Sequence, residues 1–124
     1  MENNFSVEIV ESSRELSKVE KVRMKDTADC QKLDELSKEG EVVITPSDYA
    51  ILSVHAVTQR GACDYRNLVI VDAVGRKYCT GSEPFIRSFL DIFGELKGED
   101  YQIKVVRKPS KNFSGKEFLT CSIA

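Results

Sequence analysis

The chain has 124 residues, 41% hydrophobic and 31% charged, a size and balance that suit one globular domain with a core of its own. Its 18 Lys/Arg and 20 Asp/Glu leave a formal net charge of -2, which argues against a generally basic nucleic-acid binder. The total hides an asymmetry: residues 1–100 hold 13 bases and 19 acids, a net of -6, while residues 101–124 hold five bases and one acid, a net of +4.

In chain order, Phe5 to Val10 alternates apolar and polar residues at period two and predicts a first strand. Residues 13–41 carry eight acids and seven bases, with a thin apolar stripe of Leu16, Val19, Val22, Leu33 and Leu36. Helix is expected in parts of this stretch, with Asp26 or Thr27 as a cap and Gly40 as a stop; a solvated, partly mobile segment is the competing expectation. Val42-Val43-Ile44 precedes Pro46, which interrupts a ladder or opens a new strand. Tyr49 to Val57 is mostly apolar and predicts a buried central strand. Residues 59–67 form a polar loop on this reading, Leu68–Val71 a strand, Asp72-Ala73-Val74-Gly75 a turn, and Arg76–Thr80 the partner strand. The clearest helix opens at Ser82, with Glu83 and Pro84 in its first turn. It carries Phe85, Ile86, Phe89, Leu90, Ile92, Phe93 and Leu96 at helical spacing and stops at Gly98. Residues 101–108 and 117–123 are the last two strands, a hairpin joined through Pro109 to Lys116.

These elements define an α+β domain spanning residues 1–124: a curved, mainly antiparallel sheet of about five to six strands with one firm amphipathic helix, for which an OB-like partial barrel is one available form. No run approaches the ~18 apolar residues of a membrane span. Met1-Glu2-Asn3-Asn4 lacks the basic and apolar regions of a secretory signal, so a cytoplasmic location without a membrane partner is expected. Cys30, Cys63, Cys79 and Cys121 are separated by 33, 16 and 42 residues, a spacing that fits no common zinc motif and predicts free thiols without a metal or other cofactor.

Catalysis finds little support. The single histidine, His55, lies in the hydrophobic strand; pairing with Cys63 as a base demands an orientation that nearness in sequence does not supply. Thr80-Gly81-Ser82-Glu83 offers backbone N–H groups at a helix start but no Gly-rich loop with Lys-Ser/Thr, so a plain helix cap is the simpler expectation.

The C-terminal hairpin stands apart. Lys104, Arg107, Lys108, Lys111 and Lys116 interleave with Tyr101, Phe113 and Phe118. Single-stranded nucleic acid needs both ingredients, cations along the phosphates and flat side chains under the bases. Strand alternation puts Tyr101, Ile103, Val105 and Arg107 on one face and Lys104, Val106 and Lys108 on the other. Phe118, Thr120 and Ser122 likewise oppose Leu119, Cys121 and Ile123. The bland alternative is an edge hairpin that its lysines protect from aggregation.

Lys108-Pro109-Ser110-Lys111-Asn112-Phe113-Ser114-Gly115-Lys116, followed by Phe118-Leu119-Thr120-Cys121-Ser122, resembles the C-terminal signature of a small protein family from phages and prophages of Gram-positive bacteria. Asp64-Tyr65-Arg66-Asn67, Tyr78-Cys79-Thr80-Gly81-Ser82-Glu83, Ser13-Arg14-Glu15-Leu16 and Lys25-Asp26-Thr27 are similar to it too, so the resemblance covers most of the chain. Some members are described as single-stranded DNA-binding proteins of phage replication modules. The resemblance therefore implies non-catalytic single-stranded DNA binding in the host bacterial cytoplasm, and it brings no catalytic residues. Phe85 departs from the family's Ser-Glu-Ser-Phe-Trp, and the chain has no Trp. The expected roles are phosphate binding by Lys104, Arg107, Lys108, Lys111 and Lys116 and base stacking by Phe113 and Phe118. The rival expectation is a phage-encoded protein-interaction module that inhibits a host or defence enzyme through its acidic first 100 residues; oligomerisation is compatible with either.

Overall fold

A computed structural model describes residues 5–59, 61–109 and 117–124. The strands β1 (Phe5–Ser12), β4 (Pro46–Thr58), β5 (Gly61–Asp72), β6 (Lys77–Thr80) and β2 (Gln31–Lys32) lie in that order in a five-stranded sheet. A second, three-stranded sheet has the order β3 (Val42–Ile44), β7 (Ile103–Pro109), β8 (Glu117–Ile123). Every neighbouring pair is antiparallel except β2 with β6. Three helices complete the fold: α1 (Lys18–Lys25), α2 (Leu33–Glu39) and α3 (Glu83–Glu95). The α+β class and the mainly antiparallel pairing are as expected from the sequence. The strands divide between two sheets, however, and do not close into a barrel.

Alternation along β4 and β5 explains the layering. Tyr49, Ile51, Leu68 and Ile70 point to one face of the large sheet. There they meet Ile44, Ile103, Val105, Leu119 and Cys121 of the small sheet and Phe85, Ile86 and Phe89 of α3. Ala50, Leu52, Val54 and Val69 point the other way, onto Leu16 and Met24 around α1. A bulge at Val10 shifts the register of β1, so that Glu11 lies opposite Ile51 and its carboxylate accepts the Tyr49 hydroxyl at 2.7 Å.

The amphipathic helix forms where its cap and stripe place it. The Ser82 hydroxyl accepts the Phe85 N–H and donates to the Leu119 carbonyl at 3.1 Å, which pins the start of α3 to β8. Residues 13–41 fold into the two short helices. The N-cap of α1 is Ser17, which forms a reciprocal capping box with Glu20, while Asp26 ends that helix. Gly40 terminates α2, as its position suggests.

Residues 59–67 depart from the expected loop. β5 begins at Gly61, and pairing with β4 runs out to Thr58 opposite Gly61. The outer half of this ribbon projects beyond the core, so both faces are wet and its residues are polar without being irregular. The turn between β5 and β6 is as expected: Gly75 has φ 92, and the Asp72 carboxylate accepts the N–H groups of Val74 at 3.0 Å and Arg76 at 2.8 Å.

Candidate nucleic-acid interface

The small sheet buries one face and presents the other. Register pairs Lys104 with Ser122 and with Val43, Val106 with Thr120, and Lys108 with Phe118. Paired residues of adjacent strands share a face, so these seven side chains form the outer surface of β3–β7–β8. None is acidic. Val43 is 42% exposed and the others are half-buried or exposed. Among the described residues, neither Lys104 nor Lys108 meets a carboxylate, whereas Arg14, Arg66, Lys77 and Arg107 all do.

Arg107 does not join this surface. It pairs with Leu119 on the inner face, donates to the Ser37 hydroxyl at 2.8 Å and the Asp34 carbonyl at 3.3 Å, and contacts Glu117 at 3.3 Å. Its guanidinium ties α2 to β7 on the face opposite Lys104 and Lys108. Lys104, Lys108 and Phe118 do come together. Lys111, Phe113 and Lys116 lie outside the described residues. Val43 is the neighbour that sequence reasoning missed: its alternation with Val42 and Ile44 was visible, but pairing with a strand some 60 residues away carries no local signal.

The other sequence candidates resolve differently. His55 lies opposite Asp64, and its Nδ1 contacts the Asp64 carboxylate. Cys63 lies opposite Ala56, so its side chain leaves the opposite face of the ribbon and does not reach His55. At the start of α3 the Ser82 N–H bonds the Thr80 hydroxyl, and Glu83 pairs with Arg66 at 2.6 Å. These internal partners and the Glu83 charge make the junction a helix cap. Among the described residues no group of three or more His, Cys, Asp or Glu is placed to hold a metal ion, and no helix is long and apolar enough to cross a membrane.

The two sheets around a shared core and the lysine–aromatic face thus define the class of protein: an α+β fold with two lysines on an outer sheet face. Comparison with protein-family models, curated proteins and solved structures finds no match to this chain.

Proposed function

We propose that the chain binds single-stranded DNA, without catalysis, across the outer face of β3–β7–β8. The observation that carries this reading is the union of Lys104, Lys108 and Phe118 on one acid-free face, with both cations free of carboxylates among the described residues. Four residues along a strand separate the lysines by ~13 Å, enough to meet different phosphates. Phe118, beside Lys108, offers a flat platform that an unpaired base can cover and a base pair in a duplex cannot. The sequence between Pro109 and Glu117 contains Lys111, Phe113 and Lys116, which lie outside the described residues. The resemblance to the phage and prophage family favours DNA as the polymer and the bacterial cytoplasm as the place.

Fluorescence anisotropy with a labelled oligothymidine and a duplex of equal length, each at two salt concentrations, tests this. Tighter binding of the single strand is expected. The logarithm of affinity should fall linearly with that of salt, by about 0.7 per phosphate contact. A flat titration at low salt overturns the reading.

A further inference from the structure

The strand β2 is two residues long, yet it brings together two thiols that are far apart in sequence. Gln31 and Lys32 run parallel to β6, opposite Tyr78 and Cys79, so Cys30, two residues before Lys32, leads into the bridge on the face that Lys32 shares with Cys79. Cys79 is 5% exposed and belongs to the apolar cluster beneath α1; Cys30 is partly buried and packs against that cluster. Both thiols therefore lie in one apolar cluster, on the same face of the short parallel bridge between β2 and β6.

The surroundings hold this approach in place. The Lys77 ammonium donates to the carbonyls of Arg23 and Asp26, each at 2.6 Å, and meets the Asp29 carboxylate at 2.8 Å. It therefore fastens the end of α1 and the residue before Cys30 onto β6. On the far side, the Thr80 hydroxyl contacts the Asp34 carboxylate at 3.4 Å. The charged groups around the thiols are Lys77 and Asp29 beside Cys30, and Lys32, Asp34 and Glu35 beside Cys79.

From this juxtaposition we infer that Cys30 and Cys79 are a redox-active dithiol that a peroxide converts to a disulfide. The interaction between the two thiols pushes Cys30 above the ordinary thiol value and holds Cys79 below it, which makes Cys79 the attacking sulfur and leaves the proton on Cys30. The Cys79 thiolate attacks one peroxide oxygen: an S–O bond forms, the O–O bond breaks, and hydroxide leaves. Cys30 sulfur then attacks the Cys79 sulfenic acid: the S–S bond forms, the S–O bond breaks, and the second hydroxide leaves. The Cys30 proton converts one of the two hydroxides to water. The dithiol loses two electrons and the peroxide gains them. A peroxide is small enough to reach a nearly buried sulfur, which a bulkier disulfide oxidant is not. The other two cysteines are internal contrasts. Cys63 is exposed and has no thiol neighbour, and Cys121 is buried, its thiol pushed up to about 12 by that burial.

The test is hydrogen peroxide treatment of the full chain carrying Cys63→Ser, followed by alkylation and peptide mapping. A peptide pair linked through Cys30 and Cys79, about 2 Da lighter than the sum of its reduced parts, is expected, and it should disappear with a thiol reductant. In Cys30→Ser, dimedone should trap Cys79 as a sulfenic acid; in Cys79→Ser, Cys30 should stay alkylatable. If Cys30 and Cys79 both remain alkylatable in the Cys63→Ser chain, the inference is overturned. It is equally overturned if Cys30 is oxidised as fast without Cys79 as with it. Neither outcome depends on DNA binding.

Discussion

The β4–β5 ribbon and the β7–β8 ribbon are both antiparallel pairs with solvent-exposed surface, but they treat their charges in opposite ways. On the first, Arg66 is paired with Glu83 and His55 with Asp64. On the outer face of the second, Lys104 and Lys108 have no carboxylate within reach among the described residues, and Phe118 lies beside them. A cation already neutralised by its own chain has little left for a phosphate. The net charge of -2 therefore says less about partners than the local pairing does. In the body Arg14, Arg66 and Lys77 are paired in this way, whereas, among the described residues, the two lysines on the outer face of the small sheet are not.

The largest expected effect sharpens that contrast. Lys104→Glu with Lys108→Glu removes two phosphate contacts. At 50 mM salt the loss should be on the order of 50-fold in affinity for oligothymidine, since each contact contributes a slope of about 0.7. The melting temperature should hold, because neither side chain packs in the core. Phe118→Ala comes next, with an expected loss of about 1–3 kcal/mol of binding and a nearly unchanged salt slope, which separates stacking from charge.

Arg107→Ala breaks the comparison in the other direction. It leaves the Asp34 carbonyl and the Ser37 hydroxyl without their donor, so a stability loss of about 1–2 kcal/mol in urea unfolding is expected, with oligonucleotide affinity lowered less than by either lysine change. Arg66→Ala, at a surface ion pair, should cost less than about 1 kcal/mol and leave binding untouched.

Acid should act on the body first. Arg14 lowers Glu20 from 4.5 to about 2, with the Ser17 N–H assisting, and Lys77 and Arg66 hold Asp29 and Glu83 below the usual carboxylate range. Folded values below the unfolded ones stabilise the protein above pH 4.5, and that contribution is lost as pH falls toward 2. Tyr49 has the opposite sign. Burial first, and the Glu11 carboxylate second, raise it from 10 to about 12, so its contribution is present below pH 10 and lost as pH rises through 12. Melting temperatures between pH 5 and 2, and again between pH 9 and 12, check both directions.

Much of this was legible in the sequence, for local reasons. Ser82, Pro84 and the aromatic stripe announce α3, and alternation in residues 101–107 separates Lys104 and Lys108 from Arg107. That same alternation already sets Arg107 on the face opposite the two lysines. What stayed hidden depends on distant partners. The division into two sheets rests on Val43 meeting Lys104, and the thiol pair rests on a two-residue parallel strand. The outer ribbon at 61–67 looked like a loop because strands wet on both faces carry no hydrophobic period.

The most direct test is an anisotropy titration of labelled oligothymidine at 50 mM salt. It compares the wild-type chain with the Lys104→Glu, Lys108→Glu double variant, with melting curves recorded on both. Saturable binding by the wild type, and its loss in a variant that melts at the same temperature, is the expected result. Equal affinity of the two proteins, or no binding by the wild type, would contradict the assignment of the outer β3–β7–β8 face.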